Sequence, residues 1–305
     1  MALVECVPNF SEGRRADVIA ALVAAVEAAS VHLLDVSSDR DHNRTVITFV
    51  GEPEPVIEAA YRTAQVAAAQ IDLTTHRGVH PRIGAVDVIP LIPLREVALA
   101  ECVGLARRLG QRIGTELGIP VYLYEAAATR AERTNLAVIR RGGYEALQTS
   151  IESDATRQPD FGPARVGSAG AVAVGARGPL IAFNVYLETP DVTIAQAIAR
   201  TIRAASDGLP AVKALGVLVG GQAQVSVNLT DFRQTSLHTL ITAIRTAAQQ
   251  RGVEIARSEL VGLVPQAALI EAALDALMLP PQAHDQVLEY RVGAATQDYR
   301  PVPFE

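Results

Sequence analysis

Apolar residues recur at helical spacing through residues 14–29, where Val18, Leu22, Val26 and Ala29 form one stripe. The same spacing predicts amphipathic helices over 54–69 and 96–117. Short apolar runs at 3–8, 31–36 (VHLLDV), 43–51 (NRTVITFVG) and 121–125 (VYLYE) read as strands between them. The run 85–93 (AVDVIPLIP) is predicted as an edge or irregular strand, because Pro90 has no N–H to give to a ladder. Periodicity fades over 129–169, where Gly142, Gly143, Pro159, Gly162, Pro163 and Gly167 gather, and this stretch reads as a connector with some helix. The second half alternates more cleanly. Strands are predicted at 180–187, 212–219, 224–229 and 253–264, the last broken near Ser258, with helices at 193–205, 236–249 and 266–278.

Leaving aside its last helix, the second half has the order βαββαβ, and the first half begins βαββα. The predicted fold class is therefore α+β, built from two halves of the split βαβ type, with boundaries near 1–177 and 178–305. Each such half has helices on one face of its sheet. Two bare faces covering one another would leave a cleft at the seam, where ligands commonly sit. A doubly wound nucleotide-binding fold is disfavoured: the first strand–helix turn, NFSEGRR (9–15), has a single glycine, and neither GxGxxG nor a P-loop lysine motif occurs.

Composition narrows the partners. A length of 305 residues with 49% hydrophobic content can bury a substantial core, and a net charge of -6 without a basic tail argues against nucleic acid. Apolar runs are too short for a membrane span, and the start MALVECVPNFSEG lacks the pattern of a signal peptide. Cys6 and Cys102, the two cysteines, have no metal-type or disulfide-scaffold spacing, so a reducing cytoplasmic setting is expected.

Candidate chemistry concentrates in 75–87, which carries His76, Arg77, His80, Arg82 and Asp87. Imidazoles offer proton transfer near neutral pH beside guanidiniums suited to anions. Local hydrogen bonding would account for both histidines equally well. His76 and His80 have the i, i+4 spacing of helical zinc ligands, but Gly78 and Pro81 oppose a helix and no third ligand is near, so no metal site is expected. A second polar cluster, Asp35, Asp39, Asp41, His42, Asn43 and Arg44, falls between two strands and would ordinarily be a solvated turn. Asn184 and Asn228 interrupt apolar strands, and each must face solvent, a ligand or a buried hydrogen-bond partner.

At these residues the sequence resembles the formiminotransferase family. The resemblance runs through LVECVPNFSEG (3–13), HNRTVITFVGEPEPV (42–56), HRGVHPRIGAVDVIPLIP (76–93), GIPVYLYEAAATR (118–130), PDFGP (159–163), VGARGPLIAFNVYL (174–187), VSVNLTDFRQTSLHTL (225–240) and SELVGLVPQAAL (258–269). It implies two ferredoxin-like halves around a central ligand cleft, a homodimer, and exchange of a formimino group between tetrahydrofolate and L-glutamate in histidine breakdown, with no metal or nucleotide. The family's histidine in its His-Pro-Arg sequence maps onto His80 as general acid/base, with His76 as the rival in the loop. Asp39, His42, Asn43, Arg44, Arg82, Gly84, Arg177, Asn184 and Asn228 are implied substrate contacts, and Arg44, Arg82 and Arg177 are candidates for the substrates' carboxylates. The family's folate stretch maps onto 162–170, with Gly162, Pro163, Arg165, Gly167 and Gly170 as candidate contacts; GPARVGSAG is one residue shorter than the usual form and lacks its aromatic. That departure keeps a formyl donor, 5-formyltetrahydrofolate, as the alternative; a non-catalytic folate-binding or scaffolding protein is a further one, which His80 and Arg82 speak against. The cyclodeaminase part of bifunctional members has no counterpart here, which implies a separate partner for that step.

Overall fold

A computed structural model of the chain describes residues 2–79 and 81–296. The chain divides into two compact units, Met1–Gly178 and Pro179–Glu305. Each contains its own sheet and hydrophobic core, a mixed α+β architecture.

The first unit runs β1 (Leu3–Cys6), β2 (Asn9–Phe10), α1 (Ala16–Glu27), β3 (His32–Asp39), β4 (Arg44–Gly51), α2 (Pro53–Gln70), β5 (Val86–Arg95), α3 (Leu99–Arg112), β6 (Val121–Glu125), α4 (Leu136–Ile139), α5 (Gly143–Ser150) and β7 (Val172–Ala176). The predicted strand 3–8 ends early, at Cys6, and after Val7 and Pro8 the chain pairs again as β2. Both pieces lie between β4 and β5. The spatial order is thus β3, β4, β1 with β2, β5, β7, β6, antiparallel as far as β5 and parallel from β5 through β7 to β6. Helix α1 buries Val18, Leu22 and Val26, the stripe read from the sequence, and packs against α2. A fully buried aliphatic side chain of this kind contributes about 1.5–3 kcal/mol.

Strand β5 is central, which corrects the edge expectation. Its proline is tolerated because it falls where the neighbouring strand is interrupted. A residue's N–H and C=O point to the same side of a strand, and the Pro90 carbonyl faces Val7 N at 3.4 Å, between β1 and β2. The missing donor therefore coincides with a gap in the ladder. Strand β7 has no strand signature in the sequence: VAVGA is short, small-sided and contains Gly175, yet all five positions are buried between β5 and β6.

The second unit is β8 (Ile181–Leu187), α6 (Val192–Ile202), β9 (Val212–Val219), β10 (Gln222–Leu229), α7 (Leu237–Gln249), β11 (Ile255–Val261), α8 (Gln266–Ala276) and α9 (Leu288–Thr296). Its sheet has the antiparallel order β11-β8-β10-β9. Val185, Leu187, Val225, Val227 and Leu229 join the buried residues of α6 and α7 in one core. Strand alternation turns Asn184, Tyr186, Gln224, Ser226 and Asn228 to the opposite face. The break expected near Ser258 is absent, since Ser258 pairs with Val185; the irregularity lies between Ile255 and Arg257. No helix among the described residues is long and apolar enough to cross a membrane.

Candidate functional site

The polar turn between β3 and β4 is an anchored corner. Asp39 Oδ1 accepts from the backbone N–H of Asp41 at 2.8 Å and of His42 at 2.7 Å, which sets the turn. Asn43 then takes a left-handed conformation, φ 49°, a region that Asn tolerates better than most residues. Its side-chain oxygen accepts from Gly13 N at 2.9 Å and its amide nitrogen donates to the Arg77 carbonyl at 3.0 Å. A Cβ at Gly13 would lie 2.2 Å from the Asp39 carbonyl oxygen, so only glycine allows this approach. Three segments far apart in sequence meet here: the β2–α1 turn, the β3–β4 turn and the residues following α2.

Between them is a small, open hollow lined by Phe10, Ser11, His42, Asn43, Arg44, His76, Arg82 and Asp87. His76 is buried in its wall. Its Nε2 lies 3.1 Å from the Asn43 carbonyl and its Nδ1 accepts from Arg82 Nε at 2.9 Å. That arrangement specifies the Nε2–H tautomer, because the guanidinium can only donate. Burial foremost, with Arg82's charge adding to it, holds the His76 pKa below its ordinary value of 6.5, against the opposing hydrogen bond to Asn43. With both nitrogens engaged, His76 anchors Arg82 and has no free lone pair for a substrate proton.

A pH dependence follows. A histidine kept neutral by folding binds its proton more readily in the unfolded chain, so its contribution is complete above pH 6.5 and is lost as pH falls from there toward the lowered folded value. Each unit of depression corresponds to about 1.4 kcal/mol. Denaturation of the wild type and His76→Gln across this window should show the wild type losing more stability on acidification. Parallel profiles would count against this neutral anchor.

Asp87, at the start of β5, is 3% exposed and carries two duties. Its Oδ1 accepts from Ile83 N at 2.8 Å, and its Oδ2 accepts from Arg140 after α4. Arg44 stands close to this pair and donates to Asn9 Oδ1. Burial, and then the neighbouring Arg140 guanidinium, press the Arg44 pKa down to about 9 against the pull of Asp87. It remains a cation at neutral pH. Two guanidiniums around one carboxylate leave the floor of the hollow positive, a suitable environment for an anionic ligand.

The sequence-predicted residues divide as follows. His42, Asn43, Arg44 and Arg82 line the hollow, and Asp39 shapes its rim. His80 lies outside the described residues. Gly84 and Gly170 bridge one another, and a Cβ at Gly84 would lie 1.9 Å from the Ala171 carbonyl oxygen; the glycine is needed for this backbone approach. The stretch 162–170 is therefore tied at its end to the segment leading into β5. Gly167 accepts at its carbonyl from Gly170 N at 3.0 Å, while Pro163 and Arg165 are exposed. Gly162 packs elsewhere, against Ile119 and Gly114. Arg177 donates its backbone N–H to the Leu91 carbonyl, four positions along β5 from Asp87, or about 13 Å. It neighbours Glu5 and Tyr124 and is not among the lining residues, so the three arginines do not converge on this hollow. In the second unit Asn184 donates to Glu259 Oε1 at 3.1 Å, beside Tyr186 OH at 3.0 Å, whereas Asn228 is exposed.

Sequence reasoning passed over Phe10, Ser11, Arg140 and Glu145. Ser11 donates to the Gly84 carbonyl at 2.7 Å, tying the β2–α1 turn to the segment that leads into β5. The PDFGP motif is a clamp. Asp160 accepts from Leu123 N at 2.8 Å, Arg133 Nη1 at 2.8 Å and the Thr129 hydroxyl, fastening the connector to β6. Among the described residues no group of His, Cys, Asp and Glu is placed to hold a metal ion.

A two-unit α+β chain with a positive, histidine-anchored hollow has the features of an enzyme or binding protein for small anionic molecules. Its sequence specifies which. The formiminotransferase domain's N-terminal subdomain matches residues 3–177 and the formiminotransferase domain matches residues 182–278. The chain belongs to the formiminotransferase family. It is 45% identical over 300 residues to a glutamate formimidoyltransferase of Thermoplasma acidophilum, covering 97% of this chain and 99% of that one. A glutamate formimidoyltransferase of Streptococcus pyogenes is 43% identical over 94% of this chain and 97% of its own length. The formimidoyltransferase-cyclodeaminase of Sus scrofa is 47% identical over 89% of this chain, which corresponds to 52% of that longer protein.

Proposed function

We propose that this chain is a glutamate formimidoyltransferase, exchanging a formimino group between 5-formiminotetrahydrofolate and L-glutamate to give tetrahydrofolate and N-formimino-L-glutamate. The carrying observation is the near end-to-end similarity, 97% of this chain against 99% of the Thermoplasma acidophilum relative named for that activity. Each unit is read as a ferredoxin-like half. Tetrahydrofolate is a co-substrate, and the residues at 162–170 that fold back on Gly84 are its candidate contacts. The enzyme is assigned to the cytoplasm as a homodimer.

The chemistry joins an amine to an amidine-like carbon through a tetrahedral intermediate. The incoming glutamate nitrogen must lose a proton and the leaving folate nitrogen must gain one. A neutral imidazole serves both steps, because its ordinary pKa lies near 6.5. His80 is assigned this role. The engagement of both His76 nitrogens supports the choice, since it removes the rival in the same loop. Arg44 and Arg82 supply the cationic environment for substrate carboxylates.

A second reading, transfer of a formyl group from 5-formyltetrahydrofolate, draws on the shortened segment GPARVGSAG (162–170). One assay separates the two: initial rates with formimino and formyl donors at matched concentration, with glutamate as acceptor. Faster transfer from the formimino donor is expected. A preferred formyl donor, or folate binding without turnover in either direction, would overturn the assignment.

A further inference from the structure

A guanidinium has five N–H donors, and at Arg82 most are already engaged. Nε donates to His76 Nδ1 at 2.9 Å, while Nη1 and Nη2 form a two-pronged bridge to Glu145 at 3.1 and 2.8 Å. A longer contact joins Nη2 to the His76 carbonyl at 3.4 Å. The fork that would grip a substrate carboxylate is thus filled by a carboxylate of the chain itself.

The two partners are held very differently. The Arg82 side chain is 13% exposed, whereas that of Glu145 is 63% exposed. Arg82 keeps its second anchor on His76, through a nitrogen that the Glu145 bridge does not use. Glu145 projects from the first turn of α5, a surface helix end where a carboxylate is well solvated. Turning Glu145 into water would leave Arg82 in place with both prongs presented. Exposed ion pairs hold weakly, so another carboxylate can compete for the fork, while a neutral amide, lacking the charge, competes poorly.

From this asymmetry we infer that Glu145 is an exchangeable stand-in for a substrate carboxylate. The acidic co-substrate seats on Arg82 by displacing Glu145, which makes Glu145 a specificity-determining residue that favours acids over their amides. The inference rests on the reading that one substrate is a dicarboxylate amino acid.

Calorimetric titration with glutarate, a dicarboxylate that cannot react, tests the exchange without requiring turnover. Removing the internal competitor by Glu145→Gln should tighten glutarate binding about two- to fivefold, the range that a weak surface pair allows. In an Arg82→Gln background the same substitution should have no effect on glutarate binding. Glu145→Ala provides a second variant, and melting temperatures verify that each protein is folded. Unchanged or weaker binding in both Glu145 variants, tightening that persists without Arg82, or a wild type that takes no glutarate would overturn the proposal. The transfer assay on the wild type decides the reaction separately. A protein that binds glutarate more tightly as Glu145→Gln but transfers no formimino group would keep the exchange and lose the assigned activity.

Discussion

Replacing His80 with alanine is expected to lower kcat by at least about 100-fold while folate still binds, the usual scale of a positioned general acid/base. The α-amino group of free glutamate is largely protonated at neutral pH, so a base at the reacting nitrogen removes a thermodynamic obstacle as well as a kinetic one. The described flanks of the loop are anchored: Val79 N donates to the Asp41 carbonyl at 3.3 Å, and Arg82 Nε donates to His76 Nδ1 at 2.9 Å. His76→Ala should instead act through the placement of Arg82, raising KM more than it lowers kcat. Steady-state kinetics with the formimino donor, under conditions where chemistry limits the rate, make the comparison. A His80→Ala enzyme that keeps more than about a tenth of wild-type kcat would remove His80 from the role of essential base.

The largest loss of stability is expected from Asp87→Ala, about 3–5 kcal/mol. Asp87 is buried between Arg140 and the Ile83 N–H, and it is the carboxylate that offsets the charge of Arg44. Its removal would leave one backbone donor without its acceptor and two guanidiniums facing each other. Arg140 has little means of compensating: its side chain is 14% exposed, and its buried Nε already has no partner among the described residues. Asp87→Asn retains an acceptor for Ile83 N and should cost less, because the hydrogen bond survives when the charge is lost. Urea denaturation of the three proteins measures the difference. A loss under about 1 kcal/mol for Asp87→Ala would show that Arg140 finds water or another acceptor, and that the pair is not a structural keystone.

The loop that carries His80 and the Asp87–Arg140 pair differ in how far the sequence reveals them. The loop 75–87 stood out from sequence because two imidazoles, three guanidinium or carboxylate groups and a proline fell within a short span. That density marked a place of chemistry but did not separate the roles. His76 and His80 looked alike as a pair of imidazoles. The burial of His76 between Asn43 and Arg82 distinguishes it as an anchor, and Asn43 lies 33 positions away in the chain. The polar cluster at 35–44, ordinarily a solvated turn, became a wall of the hollow once Gly13 and Arg77 closed on Asn43. Arg177 went the other way. Its residue type suited an anion, but parallel pairing of β5 and β7 carries it to the Leu91 end of the sheet.

What the sequence determined by itself was local. The period of its apolar residues set α1, α2, α6 and α7 and the alternating strands of the second unit, because side-chain direction repeats every 3.6 residues in a helix and every two in a strand. Its element order also implied the α+β class. Tertiary structure alone decided that β5 is central, that β7 slots between β5 and β6, and that residues 53 and 63 positions apart meet as Asp87–Arg140 and Arg82–Glu145. No local pattern could announce these pairings. Backbone donors and acceptors are the same at nearly every residue, so a strand's neighbours follow from how complete elements pack, and an arginine's partner from which helix end that packing brings beside it.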